Sequence, residues 1–337
     1  MALTARPTIK DVAQRASVSL STVSAVLNRT APASAETRGR VLAAVAELGY
    51  EPNSHARNLK RQRAHAIGLI IPDIINPFFA LVAEGVEEEA RRRDHVLVLC
   101  SSDFEADREA AYARLLRGRR LDGVIHLSGT GFPSRGLFEL AATAPVVFVD
   151  ERVPGLDRPF VVSDNRGGAR RAAQLALDWG HRRFAIIAGP PALWTAEQRL
   201  AGYREALAGA GIEPDSVPVA FGDYRLDGGR AAAERLLRAG PQRPTVVLVA
   251  NDLMAIGCLQ YCLAVGIGVP DELGIVGFDD VSLATIVTPA LTTVAQPACE
   301  MGRVAARHRL DELEGKEVSE VVLPTELVIR DSLGRLR

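Results

Sequence analysis

The sequence predicts an N-terminal all-α helix-turn-helix headpiece followed by an α/β body of two doubly wound parallel-sheet subdomains, and three observations lead there. Residues 1–65 carry ten basic and four acidic side chains, net +6, whereas residues 66–337 carry 30 and 37, net −7. A basic head therefore precedes an acidic body, a division hidden in the overall charge of −1. The segment "TIKDVAQRASVSLSTVSAVLNRT" holds two short helical patterns around a tight turn. From residue 66 onward one unit repeats: an apolar run of strand length, a turn, an amphipathic helix. That alternation builds parallel sheets.

In the headpiece, Thr8 and Asp11 form a T-x-x-D pair suited to cap a helix that turns Ile9, Val12 and Ala13 inward. Ala16, Ser17 and Val18 make the turn. Ser19 is a good N-cap for a second helix, whose apolar face is Val23, Val26 and Leu27, leaving Leu20, Ser21, Ser24 and Ala25 outward. Ser34 caps a third helix, Val41, Leu42, Val45 and Leu48 recur at helical spacing, and Gly49 ends it. In this geometry the second helix enters the major groove, its N-terminal residues meeting base edges while hydroxyls and amides hold phosphates. Thr8, Ser19, Leu20, Ser21, Thr22, Ser24, Ala25 and Asn28 are the candidate DNA contacts.

In the body, "AIGLIIPD", "VLVLCSSD", "GVIHLS" and "PVVFVD" form one set of strands. "PFVVSDN", "RFAIIAG", "VPVAFGD", "TVVLVAN" and "LGIVGFDD" form another, with helices such as Pro77 to Arg93 and Thr195 to Ala210 between strands. Asp73, Asp103, Ser128, Asp150, Asp164, Asn251 and Asp279 fall at or just past the C-terminal strand ends, the edge where open parallel sheets bind ligands. Two such edges facing each other make a cleft suited to a hydroxyl-bearing small molecule, with Phe78, Phe79, Trp194 and Tyr224 as apolar faces. For any one of these residues, turn formation after a strand is the competing explanation.

Other classes are excluded or weakened. No apolar run reaches the length of a membrane span and no signal peptide opens the chain, which points to a cytosolic protein. Cys100, Cys258, Cys262 and Cys299 have no disulfide or metal spacing; Cys258 and Cys262 share a helix face, but no histidine joins them. Neither metal nor cofactor is expected. The phosphate-loop, dinucleotide and nucleophile-elbow motifs are absent and the six histidines are scattered. His126, at a strand end, reads as a buried or ligand-contacting group rather than a general base. An enzyme lacks a catalytic constellation, and a sugar-binding transport protein lacks a reason for the basic head.

The wording of "TIKDVAQRASVSLSTVSAVLN", followed by "ETRGRVLAAVAELGYEPNSHARNLKRQRAHAIGLIIPDIINPFF", closely resembles the LacI/GalR (lactose-repressor) family of bacterial transcription regulators. The likeness continues through "DNRGGA", "GHRRFAIIAG", "RLAGYREAL", "ANDLMAIG", "VPDELGIVGFDD", "LTTVAQP" and "LPTELVIR", almost the whole chain. It implies a periplasmic-binding-protein-like body, double-stranded operator DNA and a small-molecule effector as partners, and no membrane. The implied division is a headpiece at 1–51, a hinge at 52–65 and an effector and dimerisation body at 66–337. Within the body, one subdomain spans about 66–164 and 294–321, the other about 165–293 and 322–337. By matched motif, Phe78 and Phe79 in "NPFF", Asp150, Thr195, Arg199, Tyr224, Asn251 and Asp279 correspond to effector contacts, to which strand-end position adds Ser128. Purine-binding members carry an arginine where this chain has Leu193, so a sugar-like effector is the expectation. Ala25 stands where an arginine often reads a base, so altered operator preference is expected there. The chain stops at Arg337 without leucine heptads, so a homodimer is expected rather than a tetramer.

The hinge, "PNSHARNLKRQRAH", holds one or two turns of helix that are marginal alone. By resemblance, Leu59 wedges into the minor groove, and with or without that wedge the charges of Arg57, Lys60, Arg61 and Arg63 serve phosphate binding. Leu59→Ala is expected to weaken operator binding by about one to a few kcal/mol with almost no change in salt slope. Lys60→Ala lowers that slope by about one unit if it meets a phosphate. Salt-dependent titrations of both variants check the contrast, and parental affinity in Leu59→Ala reduces the segment to a basic linker.

Overall fold

A computed structural model describes residues 7–28, 31–50, 64–118, 121–131, 133–237 and 243–336. The chain forms two compact units, Met1–Ala64 and His65–Arg337.

The first unit contains α1 (Ile9–Ala16), α2 (Leu20–Asn28) and α3 (Ala35–Leu48). The Asp11 carboxylate accepts the Thr8 backbone N–H at 2.6 Å and its hydroxyl at 2.7 Å, pairing groups that a helix start otherwise leaves to water. Ser17 ends α1 in the left-handed region at φ +53°, which turns the chain sharply toward α2. Ser34 Oγ accepts the Thr37 N–H at 3.2 Å, and Gly49 closes α3 at φ +58°, a conformation that favours glycine. Val12, Val23 and Val41, one from each helix, are fully buried and make a small core with Val26, Ala44 and Tyr50. Leu42 departs from the expected face and is 51 % exposed. Successive helical residues are rotated by about 100°, and Val41, Ala44, Val45 and Leu48 already fill the inward arc.

The second unit runs β1 (Ala66–Ile71), α4 (Pro77–Arg92), β2 (Val96–Ser101), α5 (Ala106–Gly118), β3 (Val124–His126), α6 (Arg135–Thr143), β4 (Val146–Val149) and β5 (Phe160–Ser163). It continues with α7 (Asn165–Asp178), β6 (Phe184–Ala188), α8 (Trp194–Gly209), β7 (Val219–Phe221), α9 (Leu226–Leu236), β8 (Val246–Val249), α10 (Asp252–Val265), β9 (Gly274–Val276) and α11 (Leu283–Ile286). The last elements are β10 (Thr293–Ala295), α12 (Ala298–Leu313), β11 (Val321–Leu323) and β12 (Glu326–Val328). One parallel sheet has the order β11-β5-β4-β3-β1-β2 and a second has β7-β6-β8-β9. A short antiparallel pair, β10-β12, is a third element that the sequence did not indicate. The "PFVVSDN" strand, grouped by sequence with the second set, lies in the first sheet as β5, where Val161 pairs with Val149 and Val321. Its four residues are buried, so the apolar run suits the interior of either sheet, and only pairing decides.

Helices cover both faces of each sheet, and the central strands read as continuous apolar runs for that reason. Helices α4 and α12 cross at glycines: a Cβ added to Gly85 lies 1.9 Å from the Cys299 carbonyl oxygen, and one on Gly302 lies 2.1 Å from that of Val82. The chain passes between the sheets three times, at Asp164, at Gln296–Pro297 and near Thr325. These crossings are tied together: Ser163 Oγ donates to Gln296 Oε1, and Thr325 Oγ1 donates to the Asp164 carbonyl at 3.2 Å.

Candidate functional site

In the headpiece, Ser19 Oγ accepts the Thr22 N–H at 3.1 Å and lies 2.7 Å from Ser21 Oγ and 2.8 Å from Thr22 Oγ1. Three hydroxyls thus crowd the N-terminus of α2, where free amides and the helix dipole favour a phosphate. Leu20 (44 % exposed) and Ser21 are exposed on this helix, while Ser24 and Ala25 are half-buried. Ala25 offers only a methyl. Thr8 is engaged with Asp11 at the start of α1, and its hydroxyl and amide hold that carboxyl below its usual range. The Asn28 side chain and Arg57, Leu59 and Lys60 lie outside the described residues.

In the body, the two sheet edges meet around a cavity of about 20 Å³ lined by Asn76, Phe78, Phe79, Asp150, Thr195, Arg199, Tyr224, Asn251 and Asp279. Eight of these nine are the side chains singled out from the sequence. Asn76, the ninth, caps α4 by accepting the Phe78 N–H at 3.0 Å, which aims both phenylalanines into the cleft. Asn251 caps α10 through Met254 N–H at 3.0 Å and donates to the Tyr224 carbonyl at 3.0 Å. Asp150, Tyr224 and Asp279 sit at φ +67°, +64° and +111°. Left-handed backbone at three non-glycine positions around one cavity is strain held by the surrounding fold, a pattern that belongs to functional sites.

Arg199 is 3 % exposed. Its Nε donates to Asn165 Oδ1 at 2.7 Å, and its Nη1 to the Ala250 carbonyl and, at 3.4 Å, to Asp279 Oδ1. Its guanidinium lies 4.0 Å from the Phe278 ring centroid. Gln296 Nε2 donates to Asp279 Oδ1 at 2.7 Å. Asp150 Oδ1 is buried with no hydrogen-bond partner, so the cavity presents an unmatched acceptor to whatever enters it. Burial pushes the Asp150 carboxyl up to about 6 against the pull of Arg199, and Asp279 up to about 7. Glu151 is pushed up to about 8, by burial first and by its neighbour Asp150 second.

Ser128 is buried outside the lining, its Oγ accepting the Thr130 N–H at 3.4 Å. Asp73 and Asp164 act as turn and cap formers, accepting the N–H groups of Ile75 and Gly167. Asp103 pairs with Arg225 and with Arg108. His126 is fully buried, 3.6 Å from Glu109 and edge-on to Phe148, away from the cavity. Cys258 and Cys262 are buried, and among the described residues no group of three His, Cys, Asp or Glu side chains is placed to hold a metal ion. No described helix is long and apolar enough to cross a membrane. Sequence reasoning missed Glu151, Asn165 and Gln296, although each stands inside or beside a motif it used. Strand alternation points Glu151 opposite to Asp150; the left-handed turn at Asp150 reverses that.

Residues 8–53 match the family model for bacterial regulatory proteins, lacI family, and residues 173–333 match the periplasmic binding protein-like domain. The HTH-type transcriptional regulator DegA of Bacillus subtilis (strain 168) is 36% identical over 340 residues, covering 98% of this chain and 99% of that protein. The transcriptional regulator CelR in complex with cellobiose is 36% identical, with a TM-score of 0.72 over 97% of this chain and 100% of that one. The lac repressor dimer bound to operator and the anti-inducer ONPF is 27% identical, with a TM-score of 0.86 over 97% and 98% of the two chains.

The cleft carboxyls give a pH prediction. A carboxyl raised on folding contributes stability present in full below the ordinary range near 4 and lost as pH rises through the folded value. The ligand-free body therefore loses stability progressively as pH rises from about 4, up to about 6 for Asp150, about 7 for Asp279 and about 8 for Glu151. Asp150→Asn removes the least compensated charge and is expected to raise stability at alkaline pH by on the order of 1–3 kcal/mol. Thermal melts across pH check this; equal melting of variant and parent above pH 8 contradicts it.

Proposed function

The chain belongs to the lacI family of bacterial regulatory proteins, and we propose that within it this protein is a dimeric cytoplasmic repressor whose hold on an inverted-repeat operator is set by a sugar-like effector. That it is a DNA-binding transcriptional regulator with an effector-binding domain follows from the family. Its relatives are regulators, not enzymes.

The observation that carries the finer reading is the cavity between the sheet edges, where Asp150, Arg199, Asn251 and Asp279 converge with Phe78, Phe79 and Tyr224. Carboxylates and amides beside aromatic faces suit a polyol, whose hydroxyls pair with the first and whose C–H faces lie on the second. The unmatched Asp150 oxygen calls for a donor such as a hydroxyl. The cellobiose held by CelR supports a sugar as the ligand class.

The division into headpiece 1–51, hinge 52–65 and body 66–337 is part of this proposal, as are the contacts assigned to α2 and to Leu59. Dimerisation has support in the edge strand β2, where Val96, Val98 and Leu99 are exposed beside Ile74 and Ile75. An uncovered apolar edge strand invites a partner, and an operator with two half-sites needs two headpieces. Effector closes the cleft, the subunits shift against each other, and the hinges pair more or less readily. By linkage, effector and operator change each other's affinity by one common factor.

Selection of bound DNA with the purified chain is expected to return an inverted repeat, and sedimentation a dimer. Absence of any DNA motif leaves a solute-binding role instead. A thermal-shift screen of sugars identifies the effector. Arg199→Ala and Asp279→Ala are then expected to lose about 2–5 kcal/mol of effector binding while keeping unliganded operator affinity near the parent. Calorimetry showing unchanged effector binding in both removes these residues from the site.

A further inference from the structure

Glu151 is 3 % exposed and belongs to neither the expected site nor the cavity lining. Its carboxylate reaches across the cleft to the first turn of α8. The Thr195 N–H donates to Oε2 at 3.2 Å and to Oε1 at 3.4 Å, and Thr195 Oγ1 donates to Oε1. Helix α8 starts at Trp194 after Leu193, which provides no side-chain cap. A helix start leaves amide donors unpaired and carries partial positive charge, so a carboxyl there satisfies both. Here the cap comes from the end of β4, in the other sheet.

The surroundings make this the tight rim of the cleft. Trp194, half-buried, packs against the core of the first sheet. The Arg152 guanidinium lies 5.1 Å from its ring centroid and 4.0 Å from that of Phe160. On the other rim Arg225 pairs with Asp103, but both side chains are more than two-fifths exposed, where an ion pair contributes little.

We propose that Glu151 is the positioning residue for cleft closure: by capping α8 from across the cleft it holds Thr195, and Arg199 one turn further on, against the Asp150 side. This rests on the cleft being the effector site and adds what governs its closure. The charged and titratable groups facing Glu151 are Asp150 beside it, Arg199 on α8 and Tyr224 after β7, with Asp279 across the cavity. In the neutral acid one oxygen still accepts the Thr195 amide while the O–H donates to Thr195 Oγ1, so the cap survives protonation. Ionisation puts a second buried charge beside Asp150. Closure is therefore favoured below the raised value of about 8 and lost as pH rises through it.

The test uses the full chain without DNA or effector. The protein has two tryptophans, so Trp179→Phe leaves Trp194 as the reporter. Emission wavelength, acrylamide quenching and small-angle scattering are followed between about pH 6 and pH 9. The parent is expected to keep Trp194 protected at low pH, with a red shift, several-fold stronger quenching and a larger radius of gyration above about 8. Glu151→Ala is expected to be open throughout. Glu151→Gln, whose amide reproduces both hydrogen bonds of the neutral acid, is expected to stay closed throughout and to lose the pH response. If Glu151→Ala does not fold, as judged by far-ultraviolet dichroism, Glu151→Gln decides. A Glu151→Gln profile that follows the parent, a protected Glu151→Ala, or a parent open at every pH overturns the proposal. Operator binding by the same variants, measured separately, bears on the regulatory reading alone.

Discussion

The body depends on how one guanidinium is shared among buried acids. Arg199 is the cation at the centre of a cleft that also holds Asp150, Glu151 and Asp279, with Asp252 buried behind Asp279. Burying a charge is unfavourable unless it is paired and hydrogen-bonded, and here compensation is uneven. Asp279 has Arg199 and Gln296, Asp252 has the Val281 N–H at 2.9 Å and Thr293 Oγ1 at 2.6 Å, and Glu151 has Thr195. Asp150 keeps a fully buried oxygen without a donor. That oxygen is the acceptor to which a hydroxyl of the proposed effector is expected to donate.

The same network reaches the segments that join the two sheets. Gln296, bonded to Asp279, also accepts from Ser163 at the end of β5, so one of the three crossings touches the acid that holds Arg199 and a second is tied to it through Gln296. A change at Asp279 is felt directly where the sheets are connected. Gln296 thus links the ligand cavity physically to the connections between the lobes. The glycine crossings of α4 and α12 leave the first sheet's helices little room to deform, which favours movement at the crossings over bending within a lobe.

Much of this was legible in the sequence. Strand-end acids and amides mark the binding edge of any doubly wound sheet, and motif order selected among them, which is why eight lining residues were identified beforehand. The failures have particular causes. Glu151 escaped because alternation along a strand holds only while the backbone stays extended, and Asp150 is left-handed. Ser128 and Asp73 illustrate the converse, strand-end polar residues that serve the local turn. The "PFVVSDN" strand was assigned to the wrong sheet because an apolar run carries no record of its neighbours. Leu42 was placed inward because apolar spacing alone does not say where the narrow arc of a small core ends.

The headpiece shows why a segment too small to bind by burial is suited to DNA. Its core is four valines with three alanines and Tyr50, so almost all of α2's polar surface remains outside. The Ser19, Ser21 and Thr22 hydroxyls satisfy one another there, which orders them before a phosphate arrives and lowers the entropy lost on binding. The apolar part of α2 is committed inward through Val23 and Val26, and the outward part is left to Leu20, Ser21, Ser24 and Ala25. In the proposed complex the methyl of Ala25 can meet a thymine methyl or leave space, but it cannot make a bidentate contact to guanine. A basic head with net charge +6 over residues 1–65 attracts the phosphate backbone, whereas the acidic body, net −7, repels it.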